Sequence, residues 1–344
     1  MLLFVCSAFA SEMDLQPYVL GQVWGTVYDQ DVSDQADPAG YGDPEDDMGF
    51  KVRRARIGVN GGYGDNLTYG IDVGMSSGSD GLSRGEEDVQ LVGAWAGVQL
   101  SELVGMNVGL TKVPFGRENL MSSAEIPFQE RTVQSNHLVS RREVGAVVDA
   151  DGGMWRLRAG VFNGNGSLLG DTDPGGLAVV RAEVVLGDGD PYRTYGTVEG
   201  LTLGVGGDFA FNDEFTTRSM SYGGDLIVRT GGLTAVVEGH MARITPTDTT
   251  VDAPGVFVET KRWGGYGQLG YSMGLFEPVL RVELFDEDMS VSDNGDLMHA
   301  VVGLNAHLMD DRLRVGGGYV HRAERGGLDL PNSTARLWVQ FRSF

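Results

Sequence analysis

Arginines recur two residues apart in this chain, at Arg54 and Arg56, Arg156 and Arg158, and Arg312 and Arg314, with single ones at Arg181, Arg229 and Arg281. In an extended strand a spacing of two puts both side chains on one face. A guanidinium is permanently charged and presents five donors in a planar fork, so it attracts oxyanions without moving a proton. A wall lined this way lowers the electrostatic barrier for negative solutes. Counted the same way, Asp72, Glu183, Asp208, Glu238 and Glu283 share that face. Two outcomes stay open: an anion-guiding wall, or a lattice of ion pairs that stiffens the sheet.

Other chemistries find little support. The histidines at 137, 240, 299, 307 and 321 form no HExxH or other ligand spacing, so no metal site is expected. Gly164-Asn165-Gly166 opens no helical pattern, and Asp149-Ala150-Asp151-Gly152 and Gly187-Asp188-Gly189-Asp190 lack the bidentate glutamate of a calcium loop. No cofactor is expected. No local pattern marks a nucleophile with its acid and base, so the expectation is a non-enzyme. A net charge of -22 argues against nucleic-acid binding.

The elements that position the arginines are strands. Leu67, Tyr69, Ile71, Val73 and Met75 alternate with Thr68, Gly70, Asp72 and Gly74, and the same grammar recurs over 201–211 and 298–308. Continued along the chain it predicts strands near 15–28, 49–60, 66–76, 88–99, 104–112, 143–150, 154–163, 176–187, 199–211, 219–230, 232–244, 260–273, 276–286, 297–308, 311–322 and 333–344. Short Gly/Asp turns alternate with longer polar loops, the longest over 113–142. About 16 antiparallel strands with that rhythm predict an all-β, closed transmembrane β-barrel. Closure follows because lipid offers no water to an unpaired sheet edge. A secreted β-sandwich would show similar alternation, with the apolar face turned inward.

Residues 1–10 have the apolar run and the Ala8-Phe9-Ala10 ending of a cleaved signal peptide, leaving 11–344 as one barrel domain. Cleavage there would remove Cys6, the single cysteine, and with it thiol chemistry. Tyr18, Trp24, Trp95, Trp155, Trp263, Tyr271, Tyr319 and Trp338 fall near strand ends, as interfacial girdles require. The acids gather in the loops: Asp29, Asp31, Asp34, Asp37, Asp43, Glu45, Asp46 and Asp47, then Asp80 to Asp88, then Asp286 to Asp296. The negative charge therefore belongs to the mouth, and the arginines to the lumen.

Several motifs resemble the phosphate-selective porin O and P family. They are Phe50-Lys51-Val52-Arg53-Arg54-Ala55-Arg56-Ile57-Gly58-Val59, Lys112-Val113-Pro114-Phe115-Gly116, Phe128-Gln129-Glu130-Arg131, Arg141-Arg142-Glu143-Val144-Gly145 and Ala159-Gly160-Val161-Phe162-Asn163-Gly164. The resemblance implies a homotrimer of 16-stranded Gram-negative outer-membrane barrels, each with an inward-folded third loop, in contact with outer-membrane lipids and lipopolysaccharide. It also implies a basic constriction for small anionic solutes such as phosphate. Matched position by position, that path comprises Arg53, Arg54, Arg56, Lys112, Arg117, Arg131, Arg141 and Arg142, and the terminal Phe344 resembles the assembly signal. Lysine departs from the pattern, with only Lys51, Lys112 and Lys261 present, which favours general anion permeation over phosphate specificity. The alternatives are a structural barrel whose acidic loops bridge lipopolysaccharide with little conductance, and an outer-membrane enzyme.

Overall fold

The computed structural model describes residues 13–29, 48–76, 89–165, 175–214, 216–247, 258–293, 295–327 and 331–343. Its strands are β1 (Met13–Asp29), β2 (Gly49–Tyr63), β3 (Leu67–Ser76), β4 (Gln90–Gln99), β5 (Val104–Lys112), β6 (Arg142–Asp151), β7 (Trp155–Phe162) and β8 (Gly176–Leu186). They continue as β9 (Val198–Asp213), β10 (Thr217–Gly231), β11 (Leu233–Pro246), β12 (Thr260–Tyr271), β13 (Phe276–Asp286), β14 (Asp296–Leu308), β15 (Leu313–Glu324) and β16 (Thr334–Arg342). Each strand pairs antiparallel with its sequence neighbours. β1 closes on β16, from Leu20 opposite Arg342 to Asp29 opposite Thr334, so the barrel has no free edge. No helix among the described residues is long and apolar enough to cross a membrane. The proposed leader, the first acidic loop beyond Asp29, the acids over 80–88 and Phe344 lie outside the described residues.

Exposure separates the barrel from a sandwich. Ile57 and Val237 are 61% and 58% exposed, whereas their inward neighbours Gly58 and Glu238 are buried. The apolar face looks outward and the polar face is enclosed, which is favourable only where the surroundings are hydrocarbon.

Strict alternation fails at informative places. In the β1–β2 register Gln22 stands opposite Arg54 and Val23 opposite Val52, so Arg53 is the extra residue of a β-bulge. The bulge turns Arg53 inward beside Arg54, and both are buried. The girdle expectation is corrected for Trp24 and Trp338, which face each other across β1 and β16 inside the wall. The Trp24 ring lies under the guanidiniums of Arg53 and Arg336, at 5.2 and 4.8 Å. Trp155, Tyr271 and Tyr319 do project outward. Arg312 is a further correction: it is exposed in the turn between β14 and β15, because the period-two count ran through a turn where Met309, Asp310 and Asp311 all take positive φ.

Candidate pore constriction

Two segments enter the lumen from opposite ends. The third loop, between β5 and β6, carries two short helices, α1 (Arg117–Leu120) and α2 (Val133–His137), and lies almost wholly buried against the wall. Apolar pegs seat it. Phe115 packs among Val147, Phe162, Leu177 and Val179, Ile126 and Phe128 against Val279, Val301 and Val320, and Val133 and Leu138 against Ala242 and Phe285. Gly116 makes the entrance to α1 possible: its φ is 75°, and a Cβ there would stand 2.8 Å from Glu238 Oε1.

The second segment is the 187–197 connection from β8 to β9, at the end of the barrel where the other connections are short. It folds back into the mouth and meets the third loop. Thr194 Oγ1 donates to the Glu125 carbonyl at 2.9 Å, and Arg117 Nη1 donates to that of Pro191 at 2.9 Å. Arg229 holds this strap through the carbonyls of Asp190, Tyr195 and Gly196, at 3.1, 2.8 and 3.2 Å. Arg342 reaches Glu125, Asp311 and the Tyr195 hydroxyl together. Nothing in the local sequence beyond Pro191 and flanking glycines separates this strap from an ordinary turn.

Most of the arginines singled out in the sequence are braces. Arg117 donates to Glu183 and Asp225, each at 2.6 Å. Arg181 binds Asp208 at 2.8 Å and Asp225 at 2.7 Å. Arg53 and Arg54 converge on Glu130 of the third loop at 2.5 and 3.0 Å. Arg281 meets Glu118 at 3.5 Å and Glu283 at 3.3 Å, and its Nη1 donates to the Glu130 carbonyl. Arg314 Nη2 donates to the Ala124 carbonyl and to Gln340. Arg156 pairs with Asp151 near the turn end. On the β8–β13 wall Arg117, Arg181 and Arg281 form ion pairs, and carboxylates compensate their charge.

The opposite side is different. Between the third loop and the β5–β7 wall lies a cavity of about 240 Å³, lined among others by Lys112, Arg158, Asn107, Asp149, Leu120 and Tyr192. Lys112 Nζ donates to the carbonyls of Leu120 and Met121, at 2.5 and 3.0 Å, and has no carboxylate partner among the described residues. Arg56, Arg131, Arg142 and Arg158 are all within its electrostatic reach. Arg131, on the loop, spends its donors on the carbonyls of Glu118 and Met121. Burial, then the charge of Arg141, pulls its pKa down to about 9, which marks a positive potential without discharging the guanidinium. Arg141 and Arg142 stand at the join of the loop to β6, partly exposed.

One serine–histidine contact bears on the enzyme alternative. His321 Nδ1 is 3.1 Å from Ser333 Oγ, but Ser333 is 1% exposed and so is closed to a substrate.

Among solved structures the fold is shared with outer-membrane proteins at 10–12% identity. The trimer form of OmpT, an outer membrane protein of Vibrio cholerae, matches 96% of this chain and 99% of its own, with a TM-score of 0.62 and 10% identity. OmpF of Salmonella typhi, solved with daunomycin, matches 96% and 97%, with a TM-score of 0.61 and 10% identity. The outer membrane channel DcaP of Acinetobacter baumannii matches 97% and 98%, with a TM-score of 0.59 and 12% identity. No curated protein sequence matches. Residues 25–225, more than half of the chain and including the RRAR strand and the third loop, match one family. The chain belongs to the phosphate-selective porin O and P family and is an outer-membrane β-barrel porin.

Proposed function

We propose that this porin passes small hydrophilic solutes with a preference for anions, by way of the gap between the third loop and the β5–β7 wall. The observation that carries the reading is Lys112, which among the described residues has no carboxylate partner, in a cavity that Arg158 also lines, with Arg56, Arg131 and Arg142 in electrostatic reach. Reversal potentials across planar bilayers in a KCl gradient test it: the expected sign is that of chloride permeation, and cation preference overturns it. With three lysines in the chain, phosphate specificity has less support than general anion passage.

The arginine braces favour a second reading, a barrel so filled by loop and strap that it conducts little and serves through its acidic outer loops, for example by cation bridging to lipopolysaccharide. Absence of conducting steps from the purified, folded barrel would favour that reading. Assembly as a homotrimer is supported by the trimeric OmpT form that shares the fold. Crosslinking of the native protein in outer membranes tests it, with a ladder ending at three chains as the expected result.

A further inference from the structure

The cavity beside Lys112 is not a uniformly charged slot. Its lining mixes the cations Lys112 and Arg158 and the polar Asn107, Thr111 and Asp149 with apolar groups: Pro114, Leu120, Val147 and the ring of Tyr192. Tyr192 is brought there by the strap, and its ring has the Arg117 and Arg158 guanidiniums at 5.2 and 5.5 Å, so its place is set by two stacked cations.

Charge and the apolar part of the lining narrow the solute. Asp149 accepts from Arg158 Nε on one oxygen at 3.0 Å and from Asn107 Nδ2 on the other at 3.2 Å, so it cancels one of the two lining cations. Lys112 has no carboxylate partner among the described residues. Two of its three N–H groups are committed to the Leu120 and Met121 carbonyls, which leaves one. Arg158 commits Nε to Asp149 and one N–H of Nη1 to the Tyr192 hydroxyl at 3.2 Å, which leaves the second N–H of Nη1 and both of Nη2. A carboxylate places one oxygen on the remaining Lys112 donor and the other on the open end of the Arg158 fork. An inorganic phosphate has no apolar body to set against Pro114, Leu120, Val147 and the Tyr192 ring, which offer its remaining oxygens no hydrogen bond. At about 240 Å³ the space falls below drug-sized pockets, which begin near 300 Å³, and so holds a small organic acid.

We propose that this cavity is a solute subsite for small organic monocarboxylates with an apolar body, which it binds in preference to inorganic phosphate. The proposal rests on the anion reading above. Acetate, cyclohexanecarboxylate, benzoate and phosphate are added at equal activity to single channels of the wild-type barrel carrying chloride current, and the concentration that halves conductance is read for each. Benzoate and cyclohexanecarboxylate are expected to block at concentrations at least about tenfold lower than acetate, the discrimination available from burying an added apolar group, with phosphate the weakest. Benzyl alcohol, of the same shape without charge, is expected not to block. Y192A is expected to bring benzoate close to acetate, and Y192F, which keeps the ring, to retain most of the difference. Block by phosphate equal to or tighter than that by benzoate overturns the proposal while leaving the anion reading intact. Cation preference in the salt gradient overturns both.

Discussion

Arg117 and Asp225 are 108 positions apart in the chain and 2.6 Å apart in space, with both side chains removed from solvent. The contact joins the third loop to β10, and Glu183 of β8 takes the other arm of the same guanidinium. Removing one member of a buried pair strands the remaining charges, at a cost of about 3–5 kcal/mol. Arg117→Ala is expected to loosen the loop from its wall and raise single-channel conductance, with the barrel still assembled because its backbone ladder is untouched. Unchanged conductance and unchanged protease resistance of the 113–141 segment would show that the apolar pegs alone seat the loop.

Much of the barrel was legible because a membrane sheet enforces a period of two on every strand at once. That is why Leu67 to Met75 and Leu201 to Phe211 read correctly from their own residues. What escaped was non-local or broke the period. The bulge at Arg53 needs the register against β1, and the misplacement of Arg312 came from counting through a turn. The partners of Arg117, Arg181 and Arg281 sit on other strands, so sequence showed arginines facing the lumen but not which of them were neutralised. The strap at 187–197 escaped for the same reason, since its inward course is set by Arg229 and by the third loop.

Glu130 holds two guanidiniums that would otherwise add to the positive lumen, those of Arg53 and Arg54. Its own side chain is 21% exposed, so the pair borders the wet interior. Glu130→Gln removes a negative charge while keeping size and an acceptor oxygen. The reversal potential in a KCl gradient is expected to move further toward chloride, and more so at low salt, where screening is weaker. Movement toward potassium would mean that Arg53 and Arg54 do not face the conducting path.

His137, at the end of α2, packs on Phe285 with ring centroids 5.7 Å apart. Burial, then the charges of Arg262 and Arg141, lowers its pKa from 6.5 to about 4. A released loop therefore takes up a proton more readily than a seated one. The contribution of this group to seating is complete above pH about 6.5, declines as the pH falls, and is exhausted near pH 4. Acidification across that window is expected to increase closures and current noise, and His137→Gln to flatten the response. A loop that becomes quieter on acidification in the wild type would reverse the sign and refute this role for His137.

Arg229 was expected from sequence among the arginines along the wall, yet its donors go to three backbone carbonyls of the strap and to Thr234 Oγ1. The strap in turn touches the third loop through Thr194 and Pro191, so its departure would widen the turn-end mouth and weaken the loop's seat at once. Arg229→Ala is expected to raise conductance and to open the 187–197 segment to protease added from the turn side only. Arg229→Lys keeps the charge but not the fork that spans three carbonyls, and is expected to fall between the two. If electrostatic guidance along the wall were its main role, lysine would restore wild-type selectivity and the strap would stay protease-resistant in both variants. Cleavage in the alanine variant together with partial protection in the lysine variant therefore separates a holding role for Arg229 from a guiding one.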